Sequence, residues 1–91
     1  MEIGGVRLSE DRDEIKRVSD RVYDARGLLC PLPIIRASEE IRDMKPGEVL
    51  EVISDDPGIQ EDMPAWCRSA GHRLLDLIRD GSEYRSFVRK E

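Results

Sequence analysis

The feature that most limits the fold of this chain is the alternation of short β-rich segments with two amphipathic helical segments. In the first helical segment, apolar residues recur at three- and four-residue steps, which places them on one face of an α-helix. They are Ile34, Ala37, Ile41 and Met44. The sequence Lys45-Pro46-Gly47 is expected to end this helix. Because one face is apolar, another layer of structure must cover it.

The second helical segment follows Asp55-Asp56-Pro57, which we interpret as an N-cap and a first-turn proline. Pro64 lies near the middle of the segment and should kink or restart the helix, because proline removes a backbone hydrogen bond. Gly71 marks its end. The apolar stripe consists of Ile59, Met63, Trp66, Cys67 and Ala70.

Four segments have the composition of β-strands. They are Val18–Tyr23, Val49–Ser54 and residues 73–79 and 82–89. The first places Val18 and Val22 on one face, which suits a half-buried strand. The last two flank Asp80-Gly81, a dipeptide typical of tight hairpin turns. The order β-α-β-α-β-β predicts an α/β two-layer sandwich, in which a four-stranded mixed sheet carries two helices on one face.

The length and charge of the chain limit the number of domains and the kinds of partner it can bind. The chain has 91 residues and a formal net charge of -5, which favours a single domain and argues against direct nucleic-acid binding. Residues 1–17 are rich in charge without a clear period, so we predict a polar N-terminal tail followed by a domain at 18–91. The sequence contains no run suited to a membrane span or secretory signal, so we expect a cytoplasmic protein that does not associate with membranes.

Cys30 lies where the first strand should end and the first helix begin. Pro31 is expected to be the first helical residue, which makes Cys30 the N-cap. Free backbone N–H groups and the helix dipole would then lower the pKa of the thiol. Residues 25–38 contain no Asp or Glu, and they include Arg26 and Arg36. The sequence therefore predicts a nucleophilic thiolate at Cys30.

The prolines around this cysteine restrict its chemistry. Pro31 and Pro33 should stiffen the first turn of the helix. A thioredoxin-type site needs a second cysteine where Pro33 stands, so a self-contained dithiol oxidoreductase is not predicted. A lone activated thiol can instead accept a group from one partner and pass it to another. The alternative is that Cys30 is a small buried core residue.

The second cysteine, Cys67, lies on the apolar stripe and is interpreted as structural, with a secondary or resolving thiol as the alternative. Together with Cys30 and His72 it does not match the ligand spacing of a zinc site, so no metal and no cofactor are predicted. His72 is expected at the surface, at the start of a strand. Capping explains Asp55 and Asp56 better than paired catalytic carboxylates do.

The segment Asp24-Ala25-Arg26-Gly27-Leu28-x-Cys30-Pro31-x-Pro33 resembles the signature of the TusA/SirA-like sulfur-carrier family. The resemblance covers about residues 21–90. It continues through Met44–Glu48, Asp56-Pro57, Asp62–Cys67 and Gly71-His72. It implies the same β-α-β-α-β-β sandwich and a persulfide carried on Cys30. Cys67 matches a second family cysteine that is not generally the carrier.

The resemblance also implies partners. In that family a cysteine desulfurase or rhodanese-like enzyme donates sulfane sulfur, and the carrier passes it to an acceptor such as a DsrE-like protein. The implied processes are tRNA thiolation, molybdenum-cofactor synthesis and sulfur oxidation. We expect a sulfurtransferase-type carrier rather than a stand-alone turnover enzyme, working as a monomer in brief complexes. Arg26 and Arg36 would tune the charge near the thiol and guide docking, with Gly27, Pro31 and Pro33 shaping the loop.

Two other functions stay open at this point. In the first, Cys30 only caps the helix of a regulatory or interaction module, which binds through its sheet or through the C-terminal basic residues Arg85, Arg89 and Lys90. Those basic residues could equally solvate the edge of the sheet. In the second, a peroxide- or disulfide-sensing thiol would require Cys30 and Cys67 with Cα atoms within about 7 Å.

Overall fold

The computed structural model describes residues 19–91; the predicted tail at 1–17 and the strand residue Val18 lie outside this range. Its elements are β1 (Arg21–Asp24), α1 (Leu32–Arg42), β2 (Val49–Ser54), α2 (Ile59–Ala70), β3 (Arg73–Asp80) and β4 (Glu83–Arg89). The predicted order of strands and helices is confirmed. None of these helices combines the length and the apolar character that crossing a membrane would require.

The four strands form one mixed sheet in the order β1-β2-β4-β3. β1 runs parallel to β2, whereas β4 is antiparallel to both β2 and β3. The parallel pair needs a crossover connection, and α1 supplies it. The two helices contact each other, and each of them packs against the sheet. The predicted two-layer sandwich is therefore confirmed.

The core lies between the two central strands and the two helices. The predicted helical stripes are confirmed with one exception, since Ala70 at the end of α2 is exposed. The buried residues include Leu50 and Val52 from β2, Val88 from β4, Ala37 and Ile41 from α1, and Met63 from α2. Because these side chains come from every layer, α1 and α2 are held at fixed positions over the sheet.

The predicted face of the first strand is wrong. Val22 is 55% exposed, and Tyr23 packs against the core instead. Tyr23 pairs with Val52, a fully buried residue of β2. Paired residues of neighbouring strands point to the same side of a sheet, so the register with β2 decides which face of β1 is buried.

The start of α2, its course at Pro64 and the extent of the hairpin loop also differ from the predictions. Helix α2 begins at Ile59 after Gly58, so Pro57 precedes the helix. The helix continues unbroken through Pro64, since Met63 before it and Cys67 after it are both anchored in the core. The hairpin loop consists of residues 81 and 82, because residue 80 still pairs with residue 83. Its first residue is a glycine with φ +64°, as type II′ turns require.

The C-terminal basic residues are engaged within the fold. Arg85 forms an ion pair with Glu51 at 2.9 Å, and Arg89 pairs with Glu91. The Lys90 ammonium donates to the backbone carbonyls of Arg42, at the end of α1, and of Met44 after it. β4 has a strand on each side, so these residues do not solvate an edge of the sheet.

Ser86 in β4 offers a test of this packing. It is fully buried, and its hydroxyl has no hydrogen-bond partner among residues 19–91. We expect Ser86→Ala to raise the free energy of unfolding by up to about 1 kcal/mol, because an unsatisfied polar group is removed. Ser54→Ala is the matched control, since the equally buried Ser54 hydroxyl accepts a hydrogen bond from the Asp56 amide. Ser54→Ala should lower the free energy of unfolding by about 1 kcal/mol. Guanidinium unfolding curves measure both, and a clear loss of stability in Ser86→Ala would contradict the prediction.

Candidate functional site

Cys30 lies in the loop between β1 and α1, and its side chain is exposed. Helix α1 begins at Leu32 and its N-cap is Pro31, so the prediction that Cys30 caps the helix is wrong by one residue. The reason is that the Pro31 carbonyl accepts the first helical hydrogen bond, from the Ile35 amide at 3.1 Å. The alternative of a buried core cysteine is also wrong.

Two aspartates from the loop between β2 and α2 hold the Cys30 loop in place. The Cys30 amide donates to Asp56 Oδ2 at 2.8 Å, and the Gly27 amide donates to Asp55 Oδ1 at 3.1 Å. The other oxygen of Asp56 accepts from the Gly58 amide just before α2. The predicted capping role is wrong, because the N-cap of α2 is Gly58 and no side chain caps that helix. Asp56 instead ties the two loops together.

The thiol itself contacts a third aspartate, which lies on α2. Cys30 Sγ donates to Asp62 Oδ2 at 2.6 Å. This hydrogen bond raises the pKa of the Cys30 thiol above its ordinary value, and desolvation and the charges of Asp62 and Asp56 act in the same direction. The predicted lowering of the thiol pKa is therefore wrong, and the resting group at neutral pH is a thiol.

The two arginines predicted to act on the thiol are bound to other groups. Arg26 binds both carboxylate oxygens of Asp24 and forms a 2.9 Å ion pair with Glu83. The hydrogen bonds from Arg26 hold the pKa of Asp24 at about 2. Arg36 pairs with Glu39 at 3.1 Å. Because these guanidinium groups are engaged elsewhere, the expected positive surroundings of Cys30 do not form.

Gly27 and Pro33 shape the loop from either side. Gly27 has φ +86°, a left-handed conformation that other residues adopt only with strain. Pro33 is fully buried in the first turn of α1 and anchors that turn to the core. Between these two fixed points the loop presents Cys30 to solvent, and the Cys30–Pro31 peptide bond is cis.

Exposed apolar side chains surround the cysteine in sequence. We define the apolar patch as Leu29, Leu32 and Ile35, which are 72%, 42% and 44% exposed. Leu32 and Ile35 share one side of α1 by their three-residue spacing. This patch was not predicted, although its apolar residues are evident in the sequence, because Leu32 and Ile35 lie outside the buried stripe of α1.

The second cysteine lies in a different environment. Cys67 is 3% exposed on the core side of α2, and burial raises the pKa of its thiol to about 11. Both cysteines are free thiols. His72 is half-buried before β3; its Nδ1 accepts from the Glu91 amide and its ring packs 5.5 Å from that of Trp66. In the part of the chain that the structure covers, no three His, Cys, Asp or Glu residues are grouped as a metal would need.

Comparison with known proteins identifies the chain. The model of the family described as Sulfurtransferase TusA matches residues 21–90. YrkI of Bacillus subtilis, named as a candidate sulfur carrier protein, is 39% identical over 72 residues, which are 79% of this chain and 96% of that protein. A crystal structure of a SirA-like protein from Desulfitobacterium hafniense has the same fold with a TM-score of 0.68 at 20% identity, over 78% of this chain and 99% of that one.

Two further relatives are longer. YrkF of Bacillus subtilis, also named as a candidate sulfur carrier, is 44% identical over 69 residues, which are 76% of this chain and 37% of YrkF. A candidate sulfur carrier protein of Aquifex aeolicus is 39% identical over 71 residues, which are 78% of this chain and 36% of that protein. The chain therefore spans about a third of the length of these two relatives.

The described residues form a two-layer α/β domain with one exposed thiol before its first helix. The chain belongs to the TusA sulfurtransferase family. Membership and the names of its relatives support a sulfur-carrier role, and they confirm the resemblance drawn from the sequence. The division between a tail and a domain at residue 17 stays a prediction.

Proposed function

We propose that this protein accepts sulfane sulfur as a persulfide on Cys30 and transfers it to an acceptor protein. The observation that carries the proposal is the exposure of the Cys30 thiol on a loop fixed by Asp56, while Cys67 is buried. A carrier needs one thiol that two partners can reach in turn. The alternative, in which Cys30 only caps α1, lacks support because no side chain caps that helix.

The chemistry of loading requires no oxidant or reductant beyond the donor. The Cys30 thiolate attacks the terminal sulfur of a donor persulfide. A new S–S bond forms on Cys30 as the S–S bond of the donor breaks, and the donor sulfur leaves as a thiolate. The proton that Cys30 gave up ends on the donor thiol, or on water at higher pH. In unloading, an acceptor thiolate attacks the terminal sulfur of the Cys30 persulfide. The S–S bond on Cys30 breaks, and the Cys30 sulfur leaves as a thiolate.

The partners we propose are those that this exchange requires. A cysteine desulfurase or a rhodanese-like enzyme supplies the persulfide, and a DsrE-like or other thiol protein accepts it. We propose that the sulfur serves tRNA thiolation, molybdenum-cofactor synthesis or sulfur oxidation. The reducing cytoplasm suits a carrier with free thiols, and a monomer suits brief complexes through a small apolar patch.

Intact mass spectrometry tests the proposal. The chain is incubated with a cysteine desulfurase and cysteine, and the expected product is one adduct of about 32 mass units per sulfur atom, removable by dithiothreitol. Adding a thiol acceptor protein should move the adduct to the acceptor. Absence of an adduct with both desulfurase and rhodanese donors would reject the proposal.

The apolar patch makes a separate prediction. Leu32→Glu should slow sulfur transfer between this chain and its protein partners by roughly tenfold, because a charge would replace apolar contact area near the thiol. Loading from inorganic polysulfide should stay unchanged, since a small donor does not need the patch. Leu75→Glu on the edge strand β3 is the matched control, because Leu75 is 41% exposed against 42% for Leu32. Equal slowing by both variants would contradict a docking role for the patch.

A further inference from the structure

The contact between Asp62 and Cys30 joins helix α2 to the loop that carries the thiol. Asp62 lies in the first turn of α2, where its amide donates to the Gly58 carbonyl at 3.0 Å. The next residue, Met63, is fully buried in the core. The Asp62 carboxylate is therefore attached to a rigid element, and its 2.6 Å hydrogen bond with Cys30 Sγ is set by the packing of α2.

The groups that face the thiol are negatively charged. Asp62 accepts the thiol proton in a hydrogen bond, and Asp56 from the β2–α2 loop accepts the Cys30 amide. On the side of β1 and α1, Arg26 and Arg36 are bound to their own carboxylates. A thiolate at Cys30 would lose the hydrogen bond that its proton makes and would be repelled by two carboxylates.

We propose that Asp62 is a positioning residue that holds Cys30 as a protonated, unreactive thiol in the free carrier, and that neutralising its charge in a complex releases the thiolate. This inference rests on the proposed function, because it assigns a regulatory role to the thiol that would carry sulfur. Release breaks the S–H bond and leaves the electron pair on Sγ. The proton passes to solvent, and Asp62 is not itself consumed.

This control suits a carrier that meets many electrophiles between its partners. An exposed cysteine with a lowered pKa reacts readily with peroxides and alkylating agents. A carboxylate beside the thiol reduces such side reactions without covering the sulfur. The donor can then restore reactivity by pairing with Asp62 at the moment of transfer.

The test is the pH dependence of alkylation by iodoacetamide, followed by mass spectrometry on the intact chain and assigned to Cys30 by peptide mapping. Asp62→Asn imitates neutralisation of the carboxylate. It should react roughly three- to tenfold faster at pH 7, and the midpoint of its pH profile should fall, because the thiolate fraction rises while its nucleophilicity drops only partly. Asp62→Ser, with no charge, should behave in the same way.

Glu61→Gln is the matched control. It removes the same charge one residue earlier on α2, and Glu61 is exposed and makes no hydrogen bond with the Cys30 thiol. Its rate should stay within about twofold of the wild type. Unchanged or slower alkylation in both Asp62 variants, or equal acceleration by Glu61→Gln, would overturn the inference. Circular dichroism confirms that each variant is folded.

The two proposals can fail separately. Alkylation requires no sulfur donor, so a faster Asp62→Asn reaction supports the role of Asp62 even if wild-type protein never acquires a persulfide. In that case only the proposed function fails. If wild-type protein is loaded with sulfur but both Asp62 variants keep the wild-type pH profile, only the role of Asp62 fails.

Discussion

Replacing Cys30 by alanine is expected to abolish sulfur loading completely. Cys30 carries the exposed thiol, whereas burial raises the pKa of Cys67 to about 11 and keeps it protonated within the core. Since Cys67 is only 3% exposed, a donor persulfide cannot reach its sulfur, and Cys67 cannot replace Cys30. Intact mass spectrometry after incubation with a desulfurase and cysteine should show no adduct on Cys30→Ala and about 32 mass units on the wild type.

Cys67→Ala is the control for this experiment. It removes a buried sulfur, which should cost about 1 kcal/mol of stability and leave the loop around Cys30 unchanged. The variant should be loaded with sulfur to the same extent as the wild type. Loading that survives Cys30→Ala and disappears with Cys67→Ala would reverse the assignment of the two cysteines.

Val52→Ala is expected to lower the free energy of unfolding by about 2 to 3 kcal/mol. Val52 is fully buried in β2, and it pairs with Tyr23 of β1 on one side and with Ser86 of β4 on the other. Its loss removes two methyl groups and leaves a cavity between sheet and helices. Urea unfolding should show a lower midpoint with an unchanged slope, which indicates altered stability within a two-state transition.

The matched substitution Val22→Ala tests the register of the sheet. Val22 is one residue before the partner of Val52, and it is 55% exposed. We expect its replacement to change stability by no more than about 0.5 kcal/mol, since only strand propensity is affected. If Val22→Ala cost as much as Val52→Ala, β1 would have to bury the face that contains Val22, as the sequence pattern had predicted.

The Cys30 thiol is exposed, but its exposure does not by itself make it reactive. The loop between β1 and α1 presents the thiol to solvent, which a carrier requires for access by two partners. The carboxylate of Asp62 raises the pKa of the same thiol, so access does not by itself give reactivity. Under the proposed role of Asp62, a partner that neutralises this charge would favour sulfur exchange at Cys30.

Helices were predicted better than strand faces or turns. The stripe of α1 was correct because a helix repeats its core-facing positions every three or four residues, so the pattern is evident from Ile34 to Ile41. β1 has only four residues, and its buried face depends on pairing with β2, which local sequence does not specify. Pro64 was expected to kink or restart α2, but the helix runs through it without interruption, because core contacts on both sides outweigh one lost hydrogen bond.

By itself the sequence determined the order of elements and the sandwich, and it singled out Cys30 as the candidate functional residue, because hydrophobic periodicity and turn residues act over short distances along the chain. Only the tertiary structure decided the charge around that thiol. The window around Cys30 contains no acidic residue in sequence, yet Asp62 lies 2.6 Å from its sulfur because α2 packs beside α1 over the same sheet. Electrostatic interactions depend on distance in space, and a separation of 32 positions along the chain does not weaken them.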